Sequence, residues 1–299
     1  MTCSILARDA GTGEIGVATQ SQALAVGNSV PFAQVGVGVV ATQSLTEPMY
    51  GRLGLDLLGG GLTVDECLEA LRAVDPHPQR RQVAVMAVDG ETSVYTGEAC
   101  VGAAGHAVGR DCVALANMAD SPEVWTSMVR RFEESGGSLT ERLVAALHAG
   151  EEAGGDVRGQ RSAAIVVVRS RGTGRPWHDT VVDLRVDDEE DPLAELDRVV
   201  RVRDRYQAAV EAFDVAVEGD VDDGDRRLRE LHERGALDEP DHVLRRALVA
   251  GLAGREDEAR DLIGGLREEA PHWLEVARRF GEAGTVPGDL VERLLAGRA

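Results

Sequence analysis

The chain contains no lysine: all 32 basic residues, among 299, are arginine. Schiff-base chemistry and a lysine general base are therefore excluded. Cysteine is sparse as well. Cys3, Cys67, Cys100 and Cys112 show no C-x-x-C spacing and no histidine pattern beside them, so neither a zinc site nor a disulfide framework is indicated. The seven histidines, His77, His106, His148, His178, His232, His242 and His272, form no H-x-x-H, H-E-x-x-H or H-x-H group, and no metal or other cofactor is expected. No G-x-S-x-G elbow exists to carry a serine-hydrolase triad. Positive charge is not clustered, and the formal charge of −20 argues against nucleic acid or an anionic membrane as partner. No stretch reaches the ~18 apolar residues of a membrane span, and the first residues carry no basic segment followed by a long apolar run. A cytoplasmic location is expected.

What is there reads as a soluble globular chain, 43% apolar and 28% charged. Thr2–Ala7 and Glu14–Thr19, joined by the Asp9–Gly13 turn, predict a hairpin. The glycine-punctuated run Val35–Ser44 predicts one buried strand. Its ending, Val-Ala-Thr-Gln-Ser, repeats that of residues 17–21, which places two polar tips at one end of a sheet. Helices are predicted over Pro48–Leu58 and over Thr63–Val74, where Thr63 and Glu66 make a capping box. Gln82–Val88 and Ser93–Thr96 bracket an Asp89-Gly90 hairpin turn. Further helices start at Ser121-Pro122 and run over Ser138–Ala153, and strands return at Ser162–Val168 and Val181–Val186. Strands and helices thus come in blocks, which suits an α+β layered sandwich. The acidic run 187–191 precedes a helix from Leu193 to about Val217 and offsets its dipole. Three segments follow: a domain over 1–217, a polar linker over 218–224, and an all-helical domain over 225–299 with breaks at Gly235, Gly254, Pro271 and Gly284.

Gly11-Thr12-Gly13-Glu14-Ile15-Gly16 matches a dinucleotide fingerprint by letters, but its strand-turn-strand context offers no helix N-terminus to a phosphate. The segment 154–162 is more informative. It sets Asp156, Arg158, Gln160 and Ser162 between a helix end and a buried strand, where a rigid scaffold presents polar groups. With metal, lysine and serine-elbow chemistry set aside, an N-terminal nucleophile remains. Thr2 follows Met1; once Met1 is removed, the same residue carries a hydroxyl and an α-amine whose pKa near 8 suits it as the base. Gln43 and Ser44, at the second polar strand tip, are substrate-binding candidates.

Several separated motifs then agree in order: Thr2-Cys3-Ser4-Ile5-Leu6-Ala7-Arg8-Asp9, Gly16-Val17-Ala18, Ala25-Val26-Gly27 with Val30-Pro31, Gly36-Val37-Gly38, Ala41-Thr42-Gln43-Ser44, and Gly154-Gly155-Asp156-Val157-Arg158-Gly159 before Ser162-Ala163-Ala164. Over residues 1 to about 205 the chain resembles the DUF1028 family of the N-terminal nucleophile (Ntn) hydrolase superfamily. The resemblance implies an αββα four-layer sandwich with an all-α C-terminal extension, and a nucleophile at the start of a central strand. It makes Thr2 the nucleophile of an amidohydrolase that cleaves a C–N amide-type bond of a small molecule through an acyl-enzyme. Asp156 is then expected to hold the α-ammonium, Asn117 to donate to an oxyanion, and Arg158 to bind an anionic substrate group, with Ser162 beside them. Cys3 points away from Thr2, since alternate strand residues face opposite ways. The expected partners are a small-molecule substrate and a second copy in a homodimer. Residues 225–299 are expected to serve interaction or a peptidoglycan-binding-like role. The alternative is a non-catalytic Ntn-fold protein that binds a small ligand or acts as a scaffold.

Overall fold

The computed structural model describes residues 2–235 and 238–296, without the side chains of Pro176 and Trp177. The expected removal of Met1 lies outside the described residues. Two compact units divide between Val199 and Val200.

In the first unit, β1 (Thr2–Asp9), β2 (Glu14–Ser21), β7 (Gly105–Gly109), β8 (Cys112–Asn117), β9 (Ser162–Arg169) and β10 (Thr180–Val186) form one sheet in the order β10-β9-β2-β1-β8-β7. A second sheet runs β3 (Pro31–Gln34), β4 (Gly38–Ser44), β5 (Arg81–Ala87), β6 (Thr92–Thr96). All neighbouring pairs are antiparallel. The six-stranded sheet carries α3 (Glu123–Glu134) and α4 (Leu139–Glu152) on one face, and the four-stranded sheet carries α1 (Met49–Gly59) and α2 (Val64–Val74).

Burial follows strand alternation. Cys3, Ile5 and Ala7 of β1 pack with Met128 and Phe132 of α3 and Leu143 and Leu147 of α4. Leu6, between them in sequence, faces the other sheet with Val17, Val39, Ala41, Ala84 and Leu115. On the far side Val40, Val83 and Val85 pack against Tyr50, Leu68 and Leu71. The unit is therefore α+β, with its two sheets face to face between two helical layers. Because β1 is covered on both faces, its buried run is nearly continuous rather than alternating. The predicted capping box of Thr63 with Glu66 forms, and a second one, Ser138 with Glu141, starts α4.

Three expectations need correction. The strand predicted over Val35–Ser44 starts only at Gly38, because residues 35–37, with Gly36 at φ 74°, form the tight turn between β3 and β4 that an unbroken apolar run conceals. The two Thr-Gln-Ser tips end strands of different sheets, β2 and β4, and Ser4 links them with contacts to Thr19 Oγ1 and Gln43 Oε1. The linker over 218–224 shrinks to a turn: Val221 already starts a helix, because Asp220 accepts the Asp223 N–H and caps it.

A one-turn helix α5 (Pro176–Asp179) precedes β10, and α6 (Pro192–Val217) contains the division between the units. The second unit continues with α7 (Val221–Glu233), α8 (Pro240–Leu252), α9 (Glu256–Glu269), α10 (Trp273–Glu282) and α11 (Gly288–Leu295). Its core gathers Phe213, Leu228, Leu244, Leu248, Ile263 and Leu290. Among the described residues no helix is long and apolar enough to cross a membrane.

Candidate functional site

The register sets a polar row across the end of the six-stranded sheet. Thr2 lies opposite Ser21 on one side and Asn117 on the other, and Ser21 lies opposite Ser162. Residues paired in this way share a face. It is the face toward the four-stranded sheet, since Ser4 reaches Gln43 from it. Thr2 is 8% exposed, its Oγ1 lying 3.1 Å from Ser21 Oγ, which itself accepts the Ala23 N–H at 3.0 Å.

The carbonyl of Thr2 is clamped. It accepts from Gln43 Nε2 at 2.9 Å and from Asn117 Nδ2 at 3.3 Å. Both donors converge on one further residue, for Gln82 Oε1 accepts from Gln43 Nε2 at 2.8 Å and from Asn117 Nδ2 at 3.2 Å. Gln82 Nε2 points the other way, to the carbonyls of Ala116 at 2.9 Å and Gly105 at 3.0 Å and to Thr96 Oγ1 at 3.1 Å. Ser4 donates to Gln43 Oε1 at 2.6 Å. These partners fix the amide orientations: a reversed Asn117 would set its oxygen against two other oxygens. Gln43 and Gln82 are fully buried and Asn117 nearly so.

A second polar group stands beside the chain leaving β8. Asp156 lies in the loop after α4, where Gly154, Gly155 and Gly159 take φ of 127°, 57° and 88°. At Gly155 the positive φ favours glycine, and a Cβ there, 2.3 Å from the Glu151 carboxylate, would displace that side chain. The loop is stitched to the chain leaving β8: Asp120 N–H bonds the Gly155 carbonyl, and Ala119 bridges Asp156. The Asp156 side chain is fully buried and bidentate to Arg158, with Nε at 3.1 Å and Nη2 at 3.0 Å. Burial pushes its pKa up, but hydrogen bonds from the Arg158 guanidinium and the Arg158 N–H outweigh it, and the carboxyl sits below its ordinary range. The Cys3 thiol is pushed up to about 12, chiefly by burial, with the charges of Glu151 and Asp156 adding to it. Cys3 is thus a packing residue and no thiolate.

Strained backbone gathers at the same end. Ala25, Ser44, Ala103 and Met118 are non-glycine residues with φ of 52°, 73°, 40° and 51°. Ser44 directly follows Gln43, and Met118 directly follows Asn117. Such outliers cost about 1–3 kcal/mol each and collect at functional sites. The Ser44 hydroxyl, moreover, is buried with no hydrogen-bond partner among the described residues.

Thr2, Asn117 and Gln43 are therefore brought together, with Asp156 near Cys3. Four expected roles change. Gln43, fully buried with its amide on Ser4, Thr2 and Gln82, clamps Thr2 rather than meeting a substrate. Arg158 holds Asp156 with its fork, so that fork is not what binds an anionic substrate group. The Asn117 amide lies on Thr2 and Gln82, which makes it a holder of the Thr2 backbone rather than an oxyanion donor. Ser162 donates to the Ala23 carbonyl at 2.6 Å and accepts the Val26 N–H at 3.0 Å, so its hydroxyl builds the loop after β2. Ser21 and Gln82 were not anticipated. The repeated Thr-Gln-Ser ending pointed toward Ser21, whereas Gln82, at the head of an apolar run, reads only as a strand boundary.

In the second unit, ligand atoms of Glu239, Asp241 and His242 lie within 4.8 Å of one another. They occupy the N-terminal turn of α8, where the helix dipole favours anions, and Asp241 already pairs with Arg245 at 2.8 Å. They serve the helix start rather than a cation.

Residues 2–196 match the model of a family of unknown function, DUF1028. No curated protein matches. Among solved structures, the crystal structure of protein SPO2555 from Silicibacter pomeroyi, assigned to DUF1028, is similar with a TM-score of 0.61 and 29% identity, covering 67% of this chain and 88% of that chain.

Proposed function

This chain belongs to the DUF1028 family, and we propose that it is an N-terminal-nucleophile amidohydrolase acting through Thr2. The observation that carries the reading is the Thr2 hydroxyl at the head of a central strand, on Ser21, with its carbonyl clamped by Gln43 and Asn117. Such clamping fixes the residue from which an α-amine and a hydroxyl both project once Met1 is gone. Two antiparallel sheets face to face between helical layers are the arrangement an Ntn-hydrolase sandwich requires, and they support that finer placement.

In the proposed reaction Thr2 Oγ attacks the amide carbonyl carbon while the α-amine takes the hydroxyl proton. The C–N bond breaks, and the amine leaves with that proton. Water, deprotonated by the same amine, then hydrolyses the ester on Thr2 and restores the hydroxyl. Asp156 stays ionised at neutral pH and is assigned to hold the α-ammonium. One observation favours a non-catalytic, ligand-binding reading: the Asn117 amide is engaged internally, leaving the oxyanion donor unassigned.

A panel of small amides turned over by protein of verified N-terminal Thr2 separates the two. Thr2→Ser is expected to retain turnover and Thr2→Ala to lose at least a thousandfold. Undiminished turnover by Thr2→Ala would end the proposal.

A further inference from the structure

We infer that the open end of the sheets carries an apolar subsite for an uncharged acyl chain, so that the substrates are neutral amides rather than amides of dicarboxylic acids. The inference rests on the reading of Thr2 as nucleophile and adds to it the substrate class.

Four large apolar side chains stand exposed on loops that leave this end. Leu24, 59% exposed, follows the last residue of β2, Ser21, by three positions, and Leu45, 45% exposed, directly follows the last residue of β4. Val157, 61% exposed, sits between Asp156 and Arg158 with its N–H on the Met118 carbonyl. Val101, 42% exposed, accepts the Met118 N–H with its own carbonyl. Exposed apolar residues are ordinary singly; their gathering on loops next to one buried hydroxyl is not.

The charges of the same segments point the same way. Arg158 lies on Asp156, Arg161 on Asp188 at 2.7 Å, and Arg81 on Asp75 at 2.7 Å with a further bond to the Leu45 carbonyl. A guanidinium already bidentate to a carboxylate has little to offer a substrate anion. Arg80, exposed before β5, has no carboxylate within ion-pair distance among the described residues, and the test includes it. A chain of net charge −20 also repels anions at long range.

The strained positions fit this assignment. Ser44, next to Leu45, and Met118, the backbone partner of both Val101 and Val157, hold left-handed conformations. The loops are thereby held in one arrangement by the strand tips that also clamp Thr2, so rim and hydroxyl form one rigid piece.

The experiment has a turnover arm and a binding arm, both on the full-length chain. With p-nitroanilides of acetate, butyrate and hexanoate, kcat/KM is expected to rise about threefold per methylene, near the value of a buried CH2. Leu45→Glu and Val157→Glu are expected to reduce the hexanoyl-to-acetyl ratio at least tenfold, while Val74→Glu, equally exposed at the end of α2, changes it less than twofold. The binding arm uses the Thr2→Ala protein and calorimetry. Pentanamide is expected to bind at least tenfold tighter than succinamate, its anionic counterpart of similar length. A flat chain-length series would overturn the inference, as would succinamate binding equal or better, above all if Arg80→Ala removed it. So would rim variants that split a dimer and leave pentanamide binding unchanged, since the rim would then be an interface between copies. Failure of the catalytic reading shows instead as turnover surviving Thr2→Ala, with the binding arm still deciding the subsite.

Discussion

Replacing Gln82 by leucine tests whether the buried amides hold the site together. Leucine nearly conserves the volume, so the main effect is the loss of hydrogen bonds rather than a cavity. Gln82 Oε1 satisfies one N–H of Gln43 and one of Asn117, and its Nε2 serves the carbonyls of Ala116 and Gly105 and the Thr96 hydroxyl. In the variant two buried amide N–H groups lose their acceptor, and each orphaned group costs about 1–3 kcal/mol. A total near 3 kcal/mol is expected, a large part of the ~5–15 kcal/mol that keeps such a protein folded. Urea unfolding measures the loss, and hydrogen exchange should place it in β1 and β8, whose ends carry Thr2 and Asn117. Thr96→Val removes two outer contacts, to Gln82 Nε2 and to the exposed-side His106 Nδ1, leaves Gln82 Nε2 its two carbonyl acceptors, and should cost less than about 1 kcal/mol. If Gln82→Leu also cost under about 1 kcal/mol, the network would be peripheral and the argument for a clamped Thr2 would fall.

Three further outcomes follow from other contacts. Asp75, its side chain 1% exposed, is held at about 2 chiefly by Arg81; a depressed folded pKa means stability present above the unfolded value near 3.9 and lost as pH falls toward 2. Asp75→Asn should therefore lose about 2 kcal/mol at pH 7 in chemical denaturation, and the gap to the parent should close between pH 4 and 2. Ser21→Ala removes the partner of the Thr2 hydroxyl and is expected to lower kcat about five- to fifteenfold, the equivalent of one hydrogen bond; an unchanged kcat would assign Ser21 to the loop alone. Asp156→Asn removes the anion assigned to the α-ammonium, so the amine's pKa drops and the acid limb of the kcat/KM profile moves to lower pH while its plateau declines. A limb that stays in place would release Asp156 from that role.

Much of the first unit was legible in the sequence because local chemistry there is strong. The Asp9–Gly13 and Asp89-Gly90 turns and the Thr63–Glu66 capping box each fix an element by themselves. What stayed hidden depends on contacts between distant segments. β7, bounded by glycines, is an edge strand with alternating exposure, and β8, Cys-Val-Ala-Leu-Ala-Asn, has one β-branched residue and small side chains, so neither announces itself. Without β8, Asn117 reads as a loop residue rather than the partner of Thr2. Gln82 acquires its meaning only when two sheets stack and bring Gln43 and Asn117 onto it. Arg158 shows the limit from the other side: its residue type is right for an anion, but the anion it takes is Asp156, two residues away.

The account stands most directly on a trapped acyl-enzyme. Protein of confirmed N-terminal Thr2 is incubated with a β-lactone, and its intact mass and peptide map are read. The expected result is one acyl adduct per chain, lodged on the Thr2 peptide and missing from Thr2→Ala. Full retention of Met1, or an adduct that forms equally well on Thr2→Ala, would contradict the central claim.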